Sequence, residues 1–174
     1  VPAGAEGELV LKGVTVTHGY YRKQDETQAA FLPGGWLRTG DLARLRPDGY
    51  VELTGRAKEL YRCYGETVSP LEVENLLTSR ADIAQAFVVP MPHERLGEVG
   101  CAWIVPTVDT TVDPDEVRGW CAERLARFKV PADVLLVDAG DLPMTTTGKI
   151  RKHVLAERAA ASLKAEDGAP TDGG

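Results

Sequence analysis

The sequence lacks the features that would place it in several large classes. It has only three cysteines, Cys63, Cys101 and Cys121, with no CxxC pair and no histidine at metal-ligand spacing. That excludes a disulfide framework and a zinc ribbon, and it predicts a reduced, cytoplasmic protein whose thiols are small apolar fillers. No secretory leader is visible. No apolar run approaches the ~20 residues needed to cross a bilayer. An excess of positive charge is missing too: 20 Lys and Arg stand against 26 Asp and Glu, a net charge of −6. A general nucleic-acid surface is thereby excluded, and any anion must be met by locally placed cations. There is no internal repeat. The chain opens at Val1 rather than methionine and runs straight into strand-like sequence, so it reads as a piece of something longer.

What is present is an ordinary folded composition, 43% apolar and 26% charged over 174 residues. That length is enough for one domain, or for a small domain with part of another. Residues 7–21, GELVLKGVTVTHGYY, alternate and are rich in Val and Thr, which predicts one or two strands. Residues 23–31 predict a short helix with Asp25 as N-cap. In 34–56 two apolar runs, Leu42–Leu45 and Tyr50–Leu53, flank Pro47-Asp48-Gly49, a hairpin turn signal because Gly accepts positive φ without steric cost. The character changes near residues 55–60. Ser69-Pro70-Leu71-Glu72 predicts a helix over 69–79 with a Ser-x-x-Glu capping box. Strands follow at 83–92, 100–108 and 133–138. Asp113-Pro114 opens a helix to about Phe128, with Val117, Trp120, Cys121, Leu125 and Phe128 as its apolar stripe. A last helix is expected over 149–165, and a polar, Gly-rich tail over 166–174. The order describes an α+β fold: about three strands flanked by helices plus a short hairpin, after a β-rich lead.

The candidate chemistry centres on PMTTTGKIRK, residues 143–152. A Walker loop needs glycine five positions before Gly148 and Ser or Thr after Lys149, where this chain has Pro143 and Ile150. Pro143 also removes a backbone N–H that a phosphate cradle would use. What remains is Lys149 on a Thr- and Gly-rich arm. By residue type alone it is either a solvated lysine or a cation delivered into a site made elsewhere. His18, His93 and His153 are scattered and read as surface or structural. Glu72 and Glu74 read as capping and helix solvation rather than acid–base groups.

GWLRTGDLARLRPDGYVELTGRAKEL, then YGETVSPLEVENLL, then PMTTTGKIRK, in that order and spacing, resemble the adenylate-forming superfamily. These are the acyl-CoA synthetases, the adenylation domains of nonribosomal peptide synthetases and the firefly-type luciferases. The resemblance covers residues 4 to 160 and corresponds to the last third of such an enzyme. It implies that residues 1–56 end a large N-terminal domain, that 57–165 are the C-terminal lid domain, and that 166–174 are a disordered tail. It further implies an acid adenylated by ATP with Mg2+ and then transferred to CoA. The partners it implies are the missing N-terminal domain, a carboxylic acid and CoA.

The resemblance also implies roles for individual residues. Asp41 would accept hydrogen bonds from the ribose hydroxyls of ATP, and Arg56 would contact the ribose and phosphate side. Lys58 would be the hinge about which the lid rotates. Gly65 would open the tunnel for pantetheine, and a turn glycine needing positive φ is the competing reading. Tyr64 stands where many relatives have glycine, which puts a ring beside that tunnel. Lys149 would be the catalytic lysine, bridging the attacking carboxylate and the α-phosphate. No residue here is assigned to a metal, and the phosphate loop and acid pocket are expected outside this chain. A carrier protein is the alternative acceptor, and a non-catalytic module that kept the fold is the alternative class.

Overall fold

The structure, a computed structural model, describes residues 1–2 and 4–166. The chain divides into two compact units, Val1–Glu59 and Leu60 onward, each built on its own sheet.

In the first unit the spine is β3, Trp36–Leu45, with β1, Glu6–Leu11, antiparallel along one edge. On the other edge β2, Phe31–Leu32, pairs with its start, and β4, Val51–Arg56, with its end. The expected β3–β4 hairpin forms at Pro47-Asp48-Gly49. Gly49 N–H donates to Arg46 O at 2.9 Å, and Asp48 receives both the Arg46 guanidinium and the Tyr50 amide. Two irregularities matter for the site. Glu8 opposes Leu42 and Val10 opposes Arg38, so Thr39-Gly40-Asp41 bulges from β3 opposite a single residue of β1. On the other edge Leu42 faces Gly55 and Ala43 faces Leu53, leaving Thr54 as a second bulge.

Residues 7–21 form one strand, not two. Beyond Leu11 the chain turns at Gly13, whose carbonyl accepts from Val16 N–H, and Thr17 Oγ1 folds back onto Gly19. Alternating Val and Thr supply the preference for a strand, but among the described residues no partner edge pairs with residues 12–21. The short helix forms as α1, Gln24–Ala30, with Lys23 rather than Asp25 at its N-cap. Asp25 sits in the first turn, where a negative charge suits the helix dipole.

The second unit carries a five-stranded sheet. Its spine is β8, Gly97–Pro106. Along one edge runs β7, Ile83–His93, antiparallel over its full length. The other edge takes β9, Asp133–Leu136, in parallel and β5, Tyr61–Cys63, at Gly97. β6, Glu66–Val68, pairs with β5. The expected three strands and separate hairpin thus join in one sheet. Helices α2, Pro70–Thr78, and α4, Lys152–Glu166, pack on β7, while α3, Pro114–Ala122, packs on β9. Val73, Leu77, Val88, Ile104, Val117 and Leu155 are fully buried between these layers. Each such side chain contributes roughly 1.5–3 kcal/mol relative to exposure.

Two helix boundaries and one capping contact differ from expectation. Asp113 caps α3 as its sequence predicts, accepting from Asp115 and Glu116 N–H. The helix stops at Ala122, however, and a separate turn of 3₁₀ helix, Arg127–Lys129, carries Phe128. Ala126 lies extended between the two, at ψ 143. Ser69 is the N-cap residue of α2 and Pro70 starts the helix, as expected, but the Ser69 side chain makes no capping bond. Glu72 turns away to Lys129 Nζ at 2.7 Å instead of closing a capping box. The last helix begins at Lys152, three residues after Lys149. Of the expected tail, all but Glu166 lies outside the described residues.

Candidate functional site

Asp41 and Arg56 come together because the two bulges put them opposite each other on β3 and β4. Arg56 Nε donates to Asp41 Oδ1 at 2.8 Å. Among the described residues nothing else bonds the Asp41 carboxylate, so Oδ2 remains available to a hydroxyl donor. The bulge is written in the glycine: Gly40 has φ +75, a left-handed conformation that a side chain would strain. Thr39 Oγ1 donates to Leu9 O at 2.7 Å and accepts from Asp41 N–H at 3.0 Å, which fixes the entry to the carboxylate. Arg56 projects with 60% of its side chain exposed, ready for a second anionic partner.

Beside this pair the first unit holds an open cleft of about 720 Å³. Arg38, Gly40, Arg56, Lys58 and, from α1, Ala29 and Ala30 are among its lining residues. Lys58 is exposed, two residues past the end of β4. Glu8 joins the cleft through a bidentate pair with Arg38, whose guanidinium holds the Glu8 carboxyl below the usual carboxylate range. This pair spans 30 residues of sequence, and nothing local in the sequence announces it.

Gly65 and Lys149 belong to the second unit. Tyr64-Gly65 is a two-residue hairpin loop between Cys63 and Glu66. Both loop residues have positive φ, 55 and 81, the type I′ geometry that matches strand twist. Gly65 therefore meets the turn requirement, and open space lies where a Cβ would project. Tyr64 accepts a conformation rare for a bulky residue, and the residue is 57% exposed.

Lys149 sits on a clipped turn rather than on a helix. Met144 bridges Ile150, Arg151 N–H donates to Pro143 O at 2.8 Å, and Thr145 N–H donates to Lys149 O at 2.8 Å. Thr145 Oγ1 accepts from Lys149 N–H at 3.0 Å and contacts Thr147 Oγ1 at 2.9 Å. The threonines thus shape the loop. Leu142 and Leu155, on either side, are buried and anchor it. The Lys149 side chain is exposed and makes no ion pair among the described residues.

Groups set aside from the sequence have structural duties. Glu74, expected to be solvated, is only 12% exposed in its side chain; it accepts from Val88 N–H at 2.7 Å and pairs with Lys152 at 2.9 Å. It thereby satisfies the outer edge of β7. His93 Nδ1 accepts from Arg95 and Leu96 N–H in the β7–β8 turn, and His18 and His153 are exposed. All three thiols are buried. Burial, helped by the Asp133 charge, pushes Cys101 up to about 12, and burial raises Cys63 and Cys121 as well. These thiols resist forming the thiolate that a nucleophile needs.

Residues 72–149 match the family model of the AMP-binding enzyme C-terminal domain. Solved structures agree: ATP-bound MatB from Rhodopseudomonas palustris superposes with a TM-score of 0.82 at 34% identity, over 92% of this chain and 31% of that one. The chain belongs to the adenylate-forming superfamily. Another adenylate-forming structure, the amide bond synthetase McbA from Marinactinospora thermotolerans, gives a TM-score of 0.83 at 32% identity, over 91% of this chain and 32% of that one. Among curated adenylate-forming relatives, the indoleacetate–CoA ligase of Aromatoleum aromaticum is 40% identical over 152 residues, 87% of this chain and 29% of that protein. The chain spans less than a third of the length of the curated relatives it matches. The α+β second unit has the fold of the C-terminal lid of these enzymes. Among the described residues, no helix is long and apolar enough to cross a membrane.

Proposed function

We propose that this chain is the C-terminal portion of an ATP-dependent carboxylic acid–CoA ligase: the end of its N-terminal domain followed by its lid. The observation that carries the reading is the Asp41–Arg56 pair, built on a glycine bulge at the motif positions a nucleotide site requires. The CoA ligases among the relatives support the acceptor.

The residues fit a nucleotide. Asp41 Oδ2 accepts from a ribose hydroxyl while Oδ1 stays with Arg56, whose exposed fork turns to the phosphate side. Lys149 brings a single cation to the carboxylate oxygen attacking the α-phosphorus. At contact distance such a charge is worth ~4 kcal/mol at an effective dielectric near 20. Pyrophosphate leaves, and the thiol sulfur then attacks the acyl carbon, loses its proton and displaces AMP. Gly65 serves the second step and Lys149 the first, with Lys58, one residue before the end of the first unit, as the pivot between them. Magnesium is a different matter. Among the described residues no group of three or more carboxylates, histidines or cysteines could hold a metal ion, so the magnesium ligands of the proposed reaction would come from the rest of the enzyme. The chain alone completes neither half-reaction, because the acid pocket and phosphate loop belong to the rest of the enzyme. The fold is shared with an amide bond synthetase, so an amine is the competing acceptor to the thiol.

The test uses the full-length parent with ATP, magnesium, CoA and a mixed pool of acids, with products read by mass. Acyl-CoA products are expected, and Lys149→Ala should slow adenylation by about 10²–10³. Adenylate without thioester would move the acceptor to a carrier protein or an amine. No product from any acid would overturn the ligase reading.

A further inference from the structure

Asp41 and Arg56 are aimed by a bulge, and a bulge holds its shape only if its freed peptide groups are bonded elsewhere. The central residue here is Gly40, with one peptide group on each side. Its carbonyl accepts from Ala57 N–H at 2.9 Å, directly after Arg56. Its N–H donates to Glu8 Oε1 at 3.3 Å. Glu8 is itself immobilised: Arg38 Nη2 meets Oε2 at 2.7 Å, and Arg38 Nε meets Oε2 at 3.0 Å and Oε1 at 3.3 Å. The backbone of Gly40 is thus clamped by its N–H to β1 and by its carbonyl to the residue after Arg56, with Arg38 locking the β1 side.

We propose that Glu8 is the positioning residue of the nucleotide site, holding the Gly40 peptide so that the Asp41 carboxylate and the Arg56 guanidinium stay in register for a ribose diol. This rests on the nucleotide reading above and adds a residue that touches neither ribose nor phosphate in it. A side chain on β1 acts through a backbone amide on a carboxylate one residue along.

The experiment is a double-mutant cycle in the full-length parent, read by ATP–pyrophosphate exchange with ATP and with 3′-deoxyATP. Glu8→Gln keeps an oxygen near Gly40 but releases Arg38, so the clamp loosens without loss of volume. The KM for ATP should rise about tenfold, the effect of one charge-assisted hydrogen bond, with kcat and Tm little changed. Discrimination between ATP and 3′-deoxyATP should shrink toward one. Asp41→Asn should do the same, and Glu8→Gln with Asp41→Asn should be no worse than Asp41→Asn alone, because one residue acts through the other. Arg38→Gln, which leaves the acceptor but frees it, should give a smaller rise in KM and serves if the first variant is unstable. Additive effects, or a fall in kcat and Tm with discrimination intact, would overturn the proposal and leave Glu8 a structural ion pair. If Asp41→Asn itself changes neither KM nor discrimination, the nucleotide reading of this pair fails first and takes the proposal with it. The single Asp41 variant separates those two failures.

Discussion

The two units solve the problem of burial in opposite ways. Nearly all the fully covered apolar side chains lie in the second unit; among the described residues Ala43 is the one buried apolar side chain of the first. Yet the first unit has the pattern of a half-buried sheet. Arg44 faces Glu52 across β3 and β4, while Leu45 faces Val51 and Ala43 faces Leu53 on the other face. On that apolar face Leu45, Val51 and Leu53 are each about half exposed, at 48%, 54% and 51%. A sheet patterned for burial and left uncovered is shaped for another surface. On the reading proposed here that surface is the rest of the N-terminal domain. The second unit needs no such cover, and it contains the matched lid domain.

The sharpest way to break this comparison is to cut the chain at the boundary. Residues 60–166 alone should unfold cooperatively in urea, with slow amide exchange along β7 and β8. Residues 1–59 alone should show no cooperative transition, because so small a unit with almost no core cannot offset its chain entropy. A cooperative transition in the 1–59 piece would show that the exposed face is self-sufficient.

Single residues sharpen the same contrast inside the intact chain. Leu77→Ala empties a site that is 0% exposed and should cost about 2–5 kcal/mol in the second unit's transition. Leu53→Ala, half exposed, should stay within about 0.5 kcal/mol. In the full-length parent the Leu53 cost should grow, since the face is then covered. Equal costs in both settings would remove the docking argument.

These contrasts also mark how far the sequence could be read. Elements announced by neighbouring residues formed where expected: Pro47-Asp48-Gly49 made its hairpin, Pro70 opened α2 and Asp113 capped α3. Elements that depend on a distant partner did not. Val14 and Val16 had strand propensity without an edge to pair with, and Ser69 lost its capping box when Glu72 was taken by Lys129, 57 residues away. The arm of Lys149 looked like a helix start because Lys, Ile and Arg suit one, but the Met144–Ile150 bridge ties it off first. Motif order pointed to Asp41 and Arg56. That they touch, through a bulge tied to Glu8, required β1 and β3 to be paired.

Glu74 offers a smaller test in the second unit. It terminates the open edge of β7 by accepting from Val88 N–H, with Lys152 balancing its charge. Glu74→Gln weakens both contacts and should cost about 1–3 kcal/mol, with faster exchange of the Val88 amide as the local readout. If that amide exchanges no faster, the carboxylate is not what satisfies the edge.

The finest comparison is between two ion pairs of similar geometry, one in each unit. Arg38 holds Glu8, and Arg80 holds Asp82 through Nε at 2.9 Å and Nη2 at 2.7 Å. In both, the hydrogen bond from the guanidinium lowers the carboxyl below its ordinary range, against a smaller opposing effect of burial. The sign follows: each pair contributes fully above the ordinary carboxylate range and is lost as pH falls through the lowered folded-state value. The surroundings differ. Arg80 is 17% exposed and Arg38 49%, so added salt should screen the first unit's pair more. Carboxyl carbon titrations of Glu8 and Asp82 at low and high salt should both show depressed midpoints, with Glu8 moving back toward the ordinary value by the larger step. An equal step for the two would mean that solvent reaches both pairs alike, and that the second unit's cover stops short of its ionic rim.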